Sequence, residues 1–306
     1  MPGNWEGQFE QAAALLPRPL RQGLFTLPQS QKERTEEIRL RVGRPVSLNL
    51  GGRETDIPGG EAVTEGDLRL VLEMASQASV HTVLDKIRSG FVTVAGGHRM
   101  GICGTVVARD GAVESVRHLT SLAIRVAKEV RGVAQPLLPQ LIEGGKPLST
   151  LIISPPGMGK TTLLRDLIRL LSQGAGTDPM RVSVVDERGE LAAVYRGIPQ
   201  MDLGPHTDIL DGCPKAEGLM ILLRGMNPQV LAVDEITAPG DLRALMDAAG
   251  CGVSLLATAH GSSLAQLRQR PLYHAMLREG LFQRVVSICS EGGQRHYQVL
   301  AAEAAS

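Results

Sequence analysis

Residues 151–162 read Leu-Ile-Ile-Ser-Pro-Pro-Gly-Met-Gly-Lys-Thr-Thr, and this stretch decides the fold class. An apolar run typical of a buried strand leads into a glycine-containing turn, and a helical pattern over residues 161–172 follows. Gly157 and Gly159 would let consecutive backbone N–H groups point at one anion, and the N-terminus of the helix adds partial positive charge. The order strand, glycine loop, helix therefore predicts a phosphate-binding loop.

Two side chains of this loop have a chemical role in that prediction. Lys160 would reach the β- and γ-phosphates of ATP, and the Thr161 hydroxyl would be a ligand of Mg²⁺. The usual pattern begins with glycine, so Ser154 is a mild departure. The alternative is a turn that only caps a helix and leaves Lys160 in solvent, which the acidic strand ends below disfavour. The predicted ATP-binding residues of the loop are Ser154, Pro155, Pro156, Gly157, Met158, Gly159, Lys160, Thr161 and Thr162.

Two further apolar runs end in carboxylates. One leads into Asp234 and Glu235, and the other leads into Asp186 and Glu187. In a parallel sheet the carboxyl ends of the strands meet at one edge, where the phosphate loop also lies. We predict that Asp234 holds Mg²⁺ and that Glu235 orients and deprotonates the attacking water. Glu187 is predicted to be catalytic: this second set of carboxylates would position water or pair with an arginine of a neighbouring subunit, with a surface ion-pair cluster as the alternative.

A fourth apolar run, residues 253–257, leads to Thr258 and His260. The same edge of the sheet suits a sensor of the γ-phosphate, and we assign His260 to the catalytic set. A histidine that only supports the local structure is the alternative.

The chain divides at a turn-rich joint, Gly144-Gly145-Lys146-Pro147. Residues 1–143 are predicted to form a smaller α+β domain, with helices over residues 5–16 and 80–90, a helix capped by Thr64, a hairpin around residues 96–98 and a strand over residues 121–127. Residues 144–306 alternate strands with helices and end in a hairpin over residues 283–300, which predicts an ATPase domain with a mostly parallel sheet. The predicted class is α/β, with a RecA-like P-loop core.

Composition and charge disfavour several other classes. The chain has 32 basic and 32 acidic residues and only 3% aromatic residues. Residues 1–147 contain 18 basic and 16 acidic residues and the rest 14 and 16, so the halves carry +2 and −2. Neither half resembles a basic nucleic-acid module. Four scattered cysteines without a CxxC predict neither a disulfide framework nor a zinc site. Since no uncharged apolar run approaches 18 residues, we expect a cytoplasmic chain, peripheral to a membrane complex at most.

These motifs, in this order, resemble the secretion-ATPase superfamily, which powers type II and type IV secretion and pilus machines. Its acidic box, Glu-Asp-Pro-Ile-Glu, is similar to Asp186-Glu-Arg-Gly-Glu190, and its Thr-Leu-His segment is similar to Thr258-Ala-His260. In that superfamily the N-terminal domain supplies arginines to the nucleotide at a subunit interface. The resemblance implies this role for Arg99 and Arg125, with Arg117 as a third candidate and a surface ion pair as the alternative for each.

Three segments are similar to a narrower group, the stage III AA family of sporulation ATPases. They are Glu37-Ile-Arg-Leu-Arg-Val-Gly-Arg-Pro45, His98-Arg-Met-Gly-Ile-Cys-Gly104 and the acidic box. This resemblance implies ATP and Mg²⁺ as cofactors, a ring of identical subunits, expected to be a hexamer, and integral-membrane partners in a channel between mother cell and forespore. The leading interpretation is an ATP-hydrolysing motor subunit. Two alternatives stay open: a nucleotide-dependent assembly scaffold with low turnover, and a nucleic-acid translocase, which the balanced charge disfavours.

Overall fold

The chain forms two compact units in a computed structural model that describes residues 7–76, 91–109, 112–292 and 294–302. The first unit is drawn from Met1–Glu129 and Ala193–Gln200, and the second from Val130–Ala192 and Met201–Ser306. Residues 130–143, predicted to belong to the first domain, pack within the second unit. The functional division at residues 143 and 144 stays a prediction.

The first unit contains a six-stranded antiparallel sheet in the order β3-β2-β1-β6-β5-β4. Helix residues such as Phe9, Leu24 and Leu68 pack with Ile38 and Ile124 of the sheet in one apolar core. The elements are α1 (Gln8–Ala14), α2 (Arg18–Phe25), α3 (Gln29–Arg34), β1 (Thr35–Arg41), β2 (Ser47–Leu50), β3 (Arg53–Asp56), α4 (Glu65–Ser76), β4 (Phe91–Thr93), β5 (Arg99–Arg109) and β6 (Ala112–Arg125).

Local signals in the first half predict several of these elements. The backbone N–H of Asp67 donates to Thr64 Oγ1 at 3.1 Å and that of Thr64 donates to Asp67 Oδ2 at 2.9 Å, so the predicted cap begins α4. A 3₁₀ turn, Ala95–Gly97, closes the predicted hairpin between β4 and β5. The helix predicted over residues 80–90 lies outside the described residues. Strand β6 begins at Ala112, nine residues before the predicted start at Ser121, because pairing with β5 extends it through a polar stretch.

The second unit contains a seven-stranded sheet in the order β11-β10-β12-β13-β9-β14-β15, in which only the terminal pair β14–β15 is antiparallel. Leu219, Leu222 and Leu245 of two crossover helices pack with strand residues such as Leu231 and Leu255. The elements are α5 (Leu138–Leu141), β7 (Ile142–Glu143), β8 (Lys146–Pro147), β9 (Thr150–Ser154), α6 (Lys160–Gln173), β10 (Val182–Asp186), β11 (Thr207–Asp211), α7 (Lys215–Met226), β12 (Val230–Val233), α8 (Pro239–Gly250), β13 (Ser254–His260), α9 (Leu264–Arg268), α10 (Pro271–Arg278), β14 (Arg284–Glu291) and β15 (Gln294–Ala301).

The predicted α/β class with a mostly parallel sheet is confirmed. Each of the four apolar runs forms a buried strand, and the helix after the phosphate loop spans Lys160–Gln173. No apolar run predicts strand β11, because this strand lies at the edge of the sheet and is only half-buried. Among the helices of the described residues, none combines the length and the apolar character needed to cross a bilayer.

Candidate active site

Four adjacent strands bring the predicted site residues of the second unit to one edge. In the sheet order β10-β12-β13-β9, Val185 lies opposite Val233, Val233 opposite Ala257, and His260 opposite Ser154. Because all four strands are parallel, their carboxyl ends meet there. The acidic strand ends, the threonine–histidine segment and the phosphate loop therefore form a single cluster.

The loop between β9 and α6 has the backbone that glycine permits. Gly157 has φ +75° and Gly159 has φ +97°, a region that L side chains rarely adopt. Gly159 lies directly before α6, so the loop runs into the N-terminus of that helix. Ser154 is the last residue of β9 and does not have a positive φ, which explains why a side chain is tolerated where glycine is usual.

Lys160 is buried under this loop. Its Nζ donates to the carbonyl oxygens of Ser154 at 3.2 Å and Pro155 at 3.3 Å, and lies 2.9 Å from His260 Nδ1. Burial lowers the pKa of Lys160, and the negative charges of Asp234 and Glu235 partly oppose that shift. The loop lysine is thus held in place by the Ser154 and Pro155 carbonyls and by His260.

His260 joins the lysine to Glu235. A protonated Lys160 can only donate, so His260 Nδ1 accepts and its Nε2 carries the ring proton. That Nε2 lies 3.1 Å from Glu235 Oε1, within reach of a hydrogen bond. The chain Lys160–His260–Glu235 therefore connects the phosphate loop to the predicted base.

Asp234 accepts hydrogen bonds from two threonines. Thr161 Oγ1 donates to its Oδ2 at 2.8 Å, and Thr258 Oγ1 donates to its Oδ1 at 2.5 Å. Burial raises the pKa of Asp234 and the two hydroxyl donors lower it, with the shift upward overall.

The donor set at Thr161 and Asp234 fits Mg²⁺. It consists of a hydroxyl and a carboxylate in direct contact, and oxygen ligands of this kind are the ones that Mg²⁺ prefers. No cluster of three or more His, Cys, Asp or Glu residues suited to a metal occurs among the described residues. Mg²⁺ at a nucleotide site commonly takes only one or two protein ligands and completes its shell with phosphate oxygens and water, so two ligands suffice.

Glu235 has an unusual backbone. Its φ is +49°, and its N–H donates to Thr258 Oγ1 at 2.8 Å. A positive φ at a residue other than glycine or asparagine costs about 1–2 kcal/mol, which the neighbouring contacts must offset. The carboxylate accepts a hydrogen bond from Arg188 Nη1 at 2.8 Å in addition to its contact with His260. Glu235 is thus turned toward the loop and held from two sides.

The two acidic residues at the end of β10 have different contacts. Asp186 is buried and accepts three backbone N–H groups, from Glu190 at 2.7 Å, Leu191 at 3.1 Å and Ala192 at 2.8 Å, so it shapes the following turn. Glu187 forms an ion pair with the buried Lys215 at the start of α7. Lys215 was not predicted as part of the site. Its rarity could have indicated a role there, because it is one of only two lysines beyond Pro147.

The predicted arginines lie in the first unit, whereas the other site residues lie in the second. Arg125 Nε donates to Glu37 Oε1 at 3.0 Å, and the Arg99 guanidinium lies 4.4 Å from the centre of the Phe91 ring. Arg99 and Arg125 are cross-strand partners, whereas Arg117 lies eight residues earlier on β6. Burial would raise the pKa of Glu37, but hydrogen bonds from Arg39 and Arg125 outweigh it and lower that pKa overall. The role of these arginines toward nucleotide stays a prediction.

Comparison with solved structures defines the class of fold. The pilus retraction motor PilT with bound ADP is similar with a TM-score of 0.63 at 17% identity, over 90% of this chain and 82% of that one. The ATPase DotB of Legionella pneumophila is similar with a TM-score of 0.58 at 14% identity, over 96% of this chain and 78% of that one. At these identities the likeness establishes the fold alone. The chain has the RecA-like P-loop fold of the secretion ATPases, as predicted.

Comparison of sequences defines the family. The family model "Sporulation stage III, protein AA" matches residues 7–303. The stage III sporulation protein AA of Bacillus subtilis (strain 168) is 41% identical over 286 residues, which cover 93% of this chain and 92% of that one. This chain belongs to the stage III sporulation protein AA family. The narrower of the two predicted resemblances is thereby confirmed.

Proposed function

We propose that the chain is an Mg²⁺-dependent, ATP-hydrolysing motor subunit of a membrane-associated channel complex, the one between mother cell and forespore. The observation that carries this proposal is the contact network at the sheet edge, in which Thr161 of the loop donates directly to Asp234 and Lys160 is connected to Glu235 through His260. Membership of a sporulation family supports the cellular setting.

The loop would bind the phosphates of ATP. Its backbone N–H groups and the N-terminus of α6 supply positive potential around the anion, and the Lys160 ammonium adds a full charge. On binding, Lys160 would exchange its contacts with the Ser154 and Pro155 carbonyls for phosphate oxygens. The remaining loop residues, including Pro156, Met158 and Thr162, would fix the path of the backbone around the phosphates.

Thr161 and Asp234 would hold Mg²⁺, which neutralises charge on the β- and γ-phosphate oxygens when it is bound. Thr258 would keep Asp234 in place, because its hydroxyl already donates to that carboxylate. In this arrangement the aspartate acts as a ligand and leaves proton transfer to its neighbour.

Glu235 would accept a proton from the attacking water. Its carboxylate would first have to lose the contact with Arg188, while His260 holds its orientation. Glu187 would help to position the water from the neighbouring strand, held there by its ion pair with Lys215. In the adjacent pair Asp234-Glu235, the aspartate would thus bind the metal ion and the glutamate would act as the base.

Assembly into a ring, expected to be a hexamer, would complete the site. Arg99 and Arg125 would contact the nucleotide of a neighbouring subunit, and arginine suits such a role because its planar guanidinium makes bidentate contacts with phosphate. Integral-membrane components of the channel would be the partners that the motor moves. PilT, which shares the fold, is a retraction motor described with bound ADP, and this supports a mechanical role.

Two substitutions test the proposal. Glu235→Gln keeps the size of the side chain but removes the base, so ATP binding should persist while steady-state hydrolysis falls about 100-fold or more. Lys160→Ala should abolish binding of ATP, measured by equilibrium titration. Lys146→Ala, at an exposed lysine of the same unit, is the matched control and should behave as the wild type.

Equal ATP binding by the wild type and Lys160→Ala would overturn the nucleotide assignment. If the wild-type chain binds ATP and assembles, but hydrolyses it no faster than Glu235→Gln does, the scaffold alternative replaces the motor.

A further inference from the structure

Arg295 lies on the terminal hairpin, which extends past the end of β9 beside the phosphate loop. The last pair between β14 and β9 joins Ser287 to Ile153, yet β14 continues to Glu291 before β15 returns. Arg295 lies opposite Ser290 on β15, three residues beyond that last pair. At about 3.3 Å per residue this is about 10 Å further along the strand direction, the direction in which the loop leaves β9.

The guanidinium of Arg295 contacts the loop at Gly159. A Cβ atom placed on Gly159 would lie 3.2 Å from Arg295 Nη1 and 3.6 Å from its Cζ. The arginine therefore packs against the residue just before Lys160. Its side chain is exposed, so it is free to reorient toward a ligand on the loop.

Arg295 differs from the other basic side chains at this edge in its partners. Lys160 contacts His260, Arg188 pairs with Glu235 and Lys215 pairs with Glu187. Within the part of the chain that the structure describes, Arg295 has neither an ion pair nor a side-chain hydrogen bond. Its charge stands beside a loop whose N–H groups already favour an anion, so an anionic ligand would supply the partner that it lacks.

We propose that Arg295 binds the polyphosphate of the nucleotide held by the loop of its own subunit. This proposal rests on the proposed nucleotide-binding function and adds a cis phosphate ligand supplied by the C-terminal hairpin. The contact is with phosphate rather than the base, because the guanidinium lies against Gly159, next to the lysine that would reach the β- and γ-phosphates.

The test is an equilibrium titration of the full chain with ATP and, separately, with inorganic tripolyphosphate. Arg295→Gln should weaken binding of both ligands about tenfold, since a charge-assisted contact to phosphate is lost. Arg295→Lys keeps the charge without the bidentate geometry and should lie between that variant and the wild type. Arg284→Gln, at the other end of the same hairpin, is the matched control and should bind both ligands as the wild type does.

Three other outcomes would contradict the Arg295 contact, its assignment to phosphate, or the nucleotide site itself. If Arg295→Gln and Arg284→Gln both bind ATP as tightly as the wild type, the cis arginine is wrong and the nucleotide site stands. Weaker ATP binding with unchanged tripolyphosphate binding would mean that Arg295 contacts the nucleoside part of ATP, which overturns the phosphate assignment. Failure of the folded wild type to bind ATP, with Lys160→Ala behaving identically, would overturn the proposed function and this inference together.

Discussion

At the scale of single residues, Thr258 connects two carboxylate residues with different proposed roles. Its buried hydroxyl donates to Asp234 at 2.5 Å and accepts the backbone N–H of Glu235 at 2.8 Å. One hydroxyl can do both, because it has a single proton to donate and lone pairs that accept. The threonine therefore holds the proposed metal ligand and the strained backbone of the proposed base in a fixed relation.

Replacing Thr258 tests this connection. Thr258→Val keeps the shape but leaves Asp234 Oδ1 and the Glu235 N–H without the hydroxyl, so the free energy of unfolding should fall by about 1–3 kcal/mol. Thr258→Ser retains the hydroxyl and should lose much less. Urea unfolding of both variants measures the difference, and equal destabilisation by Val and Ser would contradict the role of the hydrogen bonds.

His98 provides a residue-scale prediction in the first unit. It is buried, its Nδ1 accepts the backbone N–H of Ala127 at 3.0 Å, and burial lowers its pKa from 6.5 to about 4. The unfolded chain therefore takes up a proton near pH 6.5, whereas the folded chain resists it until about pH 4. The unfolded state binds more protons than the folded state in this window. The contribution of neutral His98 to the free energy of unfolding should therefore be fully present above pH 6.5 and should decrease as the pH drops toward 4.

The size of this loss follows from the width of the window. A shift of one pKa unit corresponds to about 1.4 kcal/mol, so His98 should remove about 3 kcal/mol from the free energy of unfolding by pH 4. Urea unfolding between pH 7 and pH 4 measures it, with His98→Gln as the control that cannot titrate. An identical pH dependence in the wild type and His98→Gln would show that other groups cause the loss.

At the scale of elements, helix α6 depends on a glycine at each end. Gly159 begins it, and Gly174 ends it with φ +81°. The N–H of Ala175 donates to the Leu170 carbonyl at 2.9 Å, which satisfies one of the last carbonyl groups of the helix. The N-terminus of the same helix directly follows the proposed phosphate-binding loop, so the cap at Gly174 stabilises the helix into which that loop runs.

A pair of glycine substitutions separates strain from crowding at this end. Gly174→Ala places a Cβ 2.8 Å from the Pro179 backbone nitrogen and ring, whereas at Gly176 the nearest atom would be Ile142 Cδ1 at 3.7 Å. Both have positive φ, so each alanine should cost about 1–2 kcal/mol of stability, and Gly174→Ala should cost clearly more. Thermal or urea unfolding compares them, and an equal loss would mean that the Pro179 turn moves aside freely.

At the scale of the whole molecule, the residues proposed to contact the nucleotide are divided between the two units. Arg99 and Arg125 lie on the antiparallel sheet of the first unit, and the phosphate loop lies in the second. In the single chain the Arg125 side chain donates a hydrogen bond to Glu37, and the Arg99 guanidinium lies over the Phe91 ring. A role for them at a neighbour's nucleotide therefore makes activity depend on assembly.

Assembly can be tested through the dependence of the rate on concentration. If arginines act between subunits, the ATPase rate per chain should rise steeply as the protein is concentrated. Arg125→Gln should lower the assembled rate, and Arg109→Gln, at an exposed arginine of the same sheet, should not. Mixing Arg125→Gln chains with Lys160→Ala chains should restore part of the activity, because each supplies what the other lacks. A rate per chain that is independent of concentration would rule out the arrangement.

Much of the site could be predicted because its signals are local. The glycines at 157 and 159 are required by their positive φ, and the carboxylates at 234 and 235 directly follow a buried apolar strand. Strand β11 and the long start of β6 could not be predicted, because edge position and pairing with β5, rather than an apolar pattern, determine them.

By itself the sequence determined the phosphate loop, the strands that end in acids and histidine, and the family, since each depends on neighbouring residues. Only the tertiary structure decided the partners of the charged groups: Arg188 with Glu235, Lys215 with Glu187, and Arg295 against Gly159. The physical reason is the order of the strands, because β12 and β13 lie between β10 and β9 although they follow both in the chain. Contacts between side chains so far apart in sequence arise only when the sheet has formed.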